Sequence, residues 1–175
     1  MYHNAYICGA VIEMILHIGS NIGDRENNLA QCRQLLSMHL GEVTEVSDIY
    51  ATEAWGITDQ PEFLNQAIRV STLTSPSKVL KIIQKIECII GKEKEFHWGP
   101  RRIDIDIIFY GDKIINESEL TIPHPEMHKR AFVLHPLMDI IPDFMHPVYQ
   151  KTISQLLDQC KDRSYAHKIE VNTVS

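Results

Sequence analysis

Residues 98–109 read WGPRRIDIDIIF, an apolar segment that carries Arg101, Arg102, Asp104 and Asp106 within it. In an extended strand the side chains alternate between faces, so Asp104 and Asp106 share one face while Ile103, Ile105 and Ile107 enter a core on the other. A helix would set the two carboxylates roughly 200° apart and leave them no common task. The spacing therefore predicts a strand. Like charges on one face repel unless a cation lies between them, and a hard divalent ion or the adjacent arginines would serve. Taken alone, a D-x-D pair is short and common, and a solvated strand face is its simpler account.

Upstream of this strand, SPSKVLKIIQKIECIIG (residues 75–91) predicts a helix. Ser75 stands at the cap and Pro76 at the first helical position; Val79, Ile82, Ile83, Ile86 and Ile90 face inward, and Gly91 follows the end. Near the start, ILHIGS predicts a strand, and Asp24 caps a second helix with Leu29, Cys32, Leu36 and Leu40 at helical spacing and Gly41 as its stop. Residues 42–50 and 62–72 read as strands, the second alternating imperfectly because Gln66 falls among Leu64, Ile68 and Val70. A polar loop, ATEAWGITDQP, separates them. Downstream, GDKIINESELTIPHP predicts a turn and a small hairpin, AFVLHPLMDIIP a short helix stopped by Pro142, and Thr152 the cap of a last helix through Leu156 and Leu157.

The order β-α-β-β-α-β plus these additions predicts an α+β fold of the ferredoxin-like type, an antiparallel sheet with helices over one face and a C-terminal hairpin and short helices. At 175 residues the chain suits one domain, expected over residues 14–175, with residues 1–13 a start-site extension ahead of Met14. A formal net charge of −6 argues against nucleic acid or an anionic membrane surface as the main partner. Cys8, Cys32, Cys88 and Cys160 are scattered with no C-x-x-C pair, which suits a reducing cytoplasm better than a disulfide scaffold or zinc knuckle. No apolar run is long enough for a membrane span, and the first residues lack the basic stretch of a signal peptide.

Several chemistries fail on spacing. An EF-hand loop counted from Asp104 would need glycine where Phe109 stands and glutamate where Ile115 stands. GSNIGD lacks the Gly-Lys-Ser/Thr of a phosphate loop, and there is no G-x-S-x-G nucleophile elbow. His124 and His128 have zinc-ligand spacing, but Pro125 disfavours a helix at His124 and no third ligand is placed for it. What survives is Mg²⁺-dependent phosphoryl-type transfer from a nucleotide, with Asp104 and Asp106 as the oxygen ligands and Arg101, Arg102, Lys92, Lys94, His124, Lys129 and Arg130 as candidate cations around the phosphates. A D-x-D nucleotidyl or glycosyl transferase and a non-catalytic nucleotide-binding module remain open alternatives on these residues.

Four segments in order sharpen that choice. IGSNIGDR (18–25), YATEAWGITDQPEFLNQA (50–67), HWGPRRIDIDII (97–108) and LTIPHPEMHKRAFVLHPL (120–137) together resemble the 6-hydroxymethyl-7,8-dihydropterin pyrophosphokinases, from about Ile15 to about Pro147. The resemblance implies transfer of the terminal two phosphates of ATP, the co-substrate, to the hydroxymethyl group of a reduced pterin in folate biosynthesis, leaving AMP. It implies that Asp104 and Asp106 bind two Mg²⁺ ions, that Arg101, His124 and Arg130 contact phosphates, and that His124 assists the departing α-phosphate. Lys94 and Trp98 match a loop that closes over the nucleotide; Ile107 and Thr121 match the adenosine site. Phe63 and Phe132 match two positions that stack on the pterin, Asn65 and Thr52 match contacts to its edge, and backbone groups near Trp55 complete the pocket. Lys92 stands where many relatives have arginine, and Phe63 where some have tyrosine. The resemblance thus predicts a cytoplasmic enzyme, a monomer, acting on small molecules with no nucleic-acid or membrane partner.

Overall fold

A computed structural model of the chain describes residues 10–53, 60–91 and 100–169. β1 (Ile12–Ser20) lies at the centre of the sheet, antiparallel to β4 (Phe63–Thr72) on one side and to β5 (Asp104–Tyr110) on the other. It starts at Ile12, ahead of the expected strand, because Ile12 and Glu13 pair with Thr72 and Ser71. The expected strand over 42–50 is broken in two: β2 (Glu42–Val46) pairs with one half of β4 and β3 (Tyr50–Thr52) with the other. Ser47 makes the break, exchanging two backbone hydrogen bonds for one: its N–H donates to the Ala67 carbonyl at 2.9 Å, and its Oγ accepts from the Ala67 N–H at 2.9 Å. Gln66, the residue that spoils the alternation of β4, is buried and held by Arg33 at 2.6 Å and by the Ser47 carbonyl at 2.7 Å.

α1 (Arg25–His39) and α2 (Pro76–Ile90) cover one face. Their Leu29, Cys32, Leu36, Val79, Ile83 and Ile86 meet Met14, Leu16 and Ile18 of β1 and Ile103, Ile105 and Ile107 around β5. Each fully buried aliphatic side chain there contributes roughly 1.5–3 kcal/mol. Beyond β5, β6 (Ile115–Asn116) and β7 (Thr121–Ile122) form the expected small hairpin. α3 (Ala131–Ile140) and α4 (Ile153–Gln159) cover the opposite face over Ile15, Ala67, Ile108 and Phe109. Ile108 and Phe109 both point that way because a bulge opposite Ile15 and Leu16 interrupts the alternation of β5.

A last strand that the sequence did not announce, β8 (Ala166–Lys168), extends the sheet to the order β5-β1-β4-β3-β8. The four core strands stand in the ferredoxin-like arrangement, with the fourth and third flanking the first. No helix among the described residues is long and apolar enough to cross a membrane.

Candidate active site

Asp104 and Asp106 project from the α3 face of β5, as the alternation requires, while Ile105 and Ile107 enter the core beneath α1 and α2. Their rows continue across the sheet: Asp106 lies opposite His17, which lies opposite Ala67, and Asp104 lies opposite Gly19, which lies opposite Asn65. Gly19 contributes no side chain, so the floor between Asn65 and Asp104 is open. A Cβ there would lie 2.8 Å from Asn65 Oδ1 and 3.6 Å from Phe63 Cδ1, which places both side chains beside that opening. Asn65 is oriented by its amide Nδ2, which donates to Thr52 Oγ1 at 2.7 Å.

Two arginines from separate loops stand at this end of the sheet. Arg101 Nη1 donates to Asp104 Oδ2 at 2.7 Å. Its backbone is fixed by Asn21, whose Oδ1 accepts the Arg101 N–H at 2.6 Å and whose N–H donates to the Arg101 carbonyl at 3.0 Å. Asn21 also donates to Gln60 Oε1 at 3.2 Å, so one residue of the GSNIGD turn ties together three segments around the site. Arg130 caps α3 through its backbone, and its guanidinium lies 5.9 Å from the centre of the Phe132 ring.

His124 sits beside a cleft of about 320 Å³ at the outer edge of β5, lined also by Asp106, Ile107, Thr121, Leu80 and Glu119. Burial, aided by the Arg130 charge, lowers its pKa to about 4. Nδ1 accepts the Glu126 N–H at 3.2 Å, so the neutral ring carries its proton on Nε2. His128, in the 3-10 turn Met127–Lys129, packs on Tyr149 at 4.4 Å between ring centres, and the i, i+4 histidine pair forms no ligand set on a helix. Among the described residues no group of three or more His, Cys, Asp or Glu side chains could hold a metal ion. Two half-buried carboxylates on one face nevertheless fit Mg²⁺, which is commonly held by one or two carboxylates together with substrate phosphates.

Of the expected site residues, Arg101, Asp104, Asp106, His124, Arg130, Thr52, Phe63, Asn65, Phe132, Ile107 and Thr121 lie at this end of the sheet or along the cleft. Trp55, Lys94 and Trp98, together with Lys92, fall outside the described residues. Three residues of the site carried no signal of their own. Gly19 and Asn21 read as parts of a tight turn, and His17 as an ordinary structural histidine. His17 is 4% exposed, and complete burial of its ring lowers its pKa to about 4. Period-2 alternation along β1 would have placed His17 and Gly19 on the face of Asp104 and Asp106.

Known proteins resemble the chain in sequence and in fold. The family model described as 7,8-dihydro-6-hydroxymethylpterin-pyrophosphokinase (HPPK) matches residues 15–142. The 2-amino-4-hydroxy-6-hydroxymethyldihydropteridine pyrophosphokinase of Aquifex aeolicus (strain VF5) is 39% identical over 140 residues, covering 80% of this chain and 87% of the relative. The enzyme of the same name from Bacillus subtilis (strain 168) is 44% identical over 124 residues, 70% of this chain and 74% of the relative. Among solved structures, wild-type Plasmodium falciparum HPPK-DHPS superposes with a TM-score of 0.70 at 18% identity, covering 86% of this chain and 45% of that one. The chain thus spans less than half the length of that fused protein, and the likeness speaks to the fold alone. On the family match and these relatives together, the chain belongs to the 7,8-dihydro-6-hydroxymethylpterin pyrophosphokinase family, transferases of folate biosynthesis.

Proposed function

We propose that this site transfers the β,γ-diphosphoryl group of ATP to 6-hydroxymethyl-7,8-dihydropterin through Asp104, Asp106 and the residues gathered around them. The hydroxymethyl oxygen bonds to the β-phosphorus as the bond between that phosphorus and the α,β-bridging oxygen breaks; AMP departs with the bridging oxygen, and the hydroxyl proton passes to solvent. What Mg²⁺ supplies at the two carboxylates is neutralisation of the polyphosphate charge and alignment of its oxygens. The observation that carries the reading is the shared face of Asp104 and Asp106, in one row with Asn65 and the opening at Gly19.

The remaining groups have roles that follow from their state. Arg101, now paired with Asp104, and Arg130 offset charge on the transferred phosphates. His124, neutral with its proton on Nε2, donates a hydrogen bond to the departing α-phosphate without adding a further charge. The cleft bounded by Ile107 and Thr121 takes the adenosine. Phe63 and Phe132 stack on the pterin, while Asn65 Oδ1, freed for the ligand because Nδ2 is spent on Thr52, accepts from a ring N–H. Trp55, Lys94 and Trp98 complete the proposal as the pterin-side backbone and the loop over the nucleotide.

Asp104, Asp106, Arg101, His124, Arg130, Asn65 and Phe132 all come from one chain, which supports action as a monomer. Cys32, Cys88 and Cys160 are free thiols, which supports the cytoplasm as the compartment. The test is incubation with ATP, Mg²⁺ and the pterin alcohol, followed by identification of the nucleotide. AMP is expected, and ADP would indicate an ordinary kinase. Asp104→Ala and Asp106→Ala are each expected to abolish turnover with an unchanged circular dichroism spectrum; wild-type turnover in either sinks the metal assignment.

A further inference from the structure

α3 contains a proline, Pro136, inside the helix, and its place decides which carbonyl goes unserved. In an α-helix the N–H of residue i donates to the carbonyl of residue i−4. Pro136 has no N–H, so the carbonyl left without its helical donor is that of Phe132. Into that gap comes His17 from the middle of β1: its Nε2 lies 3.3 Å from the Phe132 oxygen, and the two rings stand 5.7 Å apart at 58°. A carbonyl only accepts, so Nε2 carries the proton.

We infer that His17 is a positioning residue for Phe132, donating to the carbonyl that Pro136 leaves open and thereby fixing the first turn of α3, on which Phe132 is carried. The inference rests on the proposed role of Phe132 in stacking on the pterin. Phe132 is the second residue of α3, in a first turn whose amides are already served, Ala131 N–H by Asp162 Oδ2 at 2.9 Å and Val133 and Leu134 N–H by the Arg130 carbonyl at 3.1 Å, so the open group there is the Phe132 carbonyl. His17 is held in turn by backbone pairing with both Ala67 and Asp106, so the tie runs from the centre of the sheet to the stacking ring. The interaction makes Phe132 a preorganised wall of the pterin pocket, and its loss is expected in pterin affinity ahead of nucleotide affinity.

The test is isothermal titration of 6-hydroxymethylpterin and, separately, of α,β-methylene-ATP with Mg²⁺. His17→Leu keeps apolar bulk and removes the donor; it is expected to weaken pterin binding about tenfold, the size of one lost buried hydrogen bond, and to shift nucleotide binding less than about twofold. His17→Gln retains an N–H donor and is expected to recover most of the affinity. Pro136→Ala restores the helical donor, so in the His17→Leu background it is expected to rescue pterin binding while changing little in the wild type. If His17→Leu fails to fold, His17→Asn takes its place, its shorter amide falling short of the Phe132 carbonyl. Unchanged pterin affinity, equal weakening of both ligands, or no rescue by either second variant overturns the inference. A wild-type protein that binds no pterin overturns the pterin reading as well, whereas wild-type binding with an indifferent His17→Leu overturns this inference alone.

Discussion

Gly19 matters through what it leaves out. Its φ is not in the left-handed region, so the backbone would accept any residue, and the requirement is for space alone. An added methyl would press on Asn65 Oδ1 at 2.8 Å, and Asn65 cannot turn aside without giving up its 2.7 Å hydrogen bond to Thr52. Gly19→Ala is therefore expected to raise the pterin dissociation constant about tenfold while destabilising the fold by about 1–2 kcal/mol, the usual penalty of modest overpacking. Titration calorimetry with each ligand reads the outcome; equal affinities for the pterin in wild type and variant would remove Gly19 from the pocket floor. Asn21 shows the complementary case, a buried side chain kept for its polar atoms, since it holds the Arg101 backbone and reaches Gln60.

Helix caps separate what the elements reveal in sequence from what they do not. Asp24 and Thr152 both bond as their positions suggest: Asp24 Oδ1 accepts the Asn27 N–H at 3.1 Å, and Thr152 with Gln155 forms a complete capping box. Ser75 occupies the cap of α2 yet makes no side-chain capping hydrogen bond. Asp24→Ala and Thr152→Ala are expected to cost about 1 kcal/mol each, and Ser75→Ala well under that, by chemical denaturation; equal losses at all three would show that cap position alone sets the effect. The end of α2 was legible for a firmer reason, because Gly91 adopts φ +100 and its N–H closes the last turn. Legibility followed the local signals. Strand alternation announced β5 and the face of its aspartates, and helical spacing announced α1 and α2. The bulge at Ile108 and Phe109, the break at Ser47 and the three-residue β8 depend on partners far along the chain, and no local pattern carries them. The candidate site divides in the same way: spacing sets Asp104 and Asp106 on one face, whereas the contact of His17 with the Phe132 carbonyl depends on a helix more than a hundred residues away.

Across the molecule, His17, His124 and His146 are held neutral by burial and set the acid limit of stability, with the pKa of His128 lowered in the same direction. His17, His124 and His146 each have a pKa lowered to about 4 from 6.5, with burial the largest cause in every case. A depressed histidine binds its proton less readily in the folded state than in the unfolded chain, so stability is full above about pH 6.5 and is lost as pH falls towards 4. For wholly buried His17 the loss is on the order of 3 kcal/mol, at about 1.4 kcal/mol per unit. On the basic side Cys32, raised from 9.0 to about 12 by burial, begins to cost stability above pH 9, and Tyr50, raised from 10.0 to about 12 by burial and by its hydrogen bond to Asp139, above pH 10, so a plateau is expected between about pH 6.5 and 9. His146 offers the test because it lies apart from the proposed site, packed on Phe109 and Tyr149. Its Nδ1 accepts the N–H groups of Val148 and Tyr149, both at 3.2 Å, and a proton placed on Nδ1 would set a donor against two donors. His146→Asn presents an amide oxygen to the same N–H groups and does not titrate. In urea unfolding without nucleotide or metal, the wild type is expected to be the more stable at pH 7 and to lose roughly 1–2 kcal/mol of that advantage by pH 4.5. A stability difference that stays constant across this range would show that His146 takes no part in the acid limit.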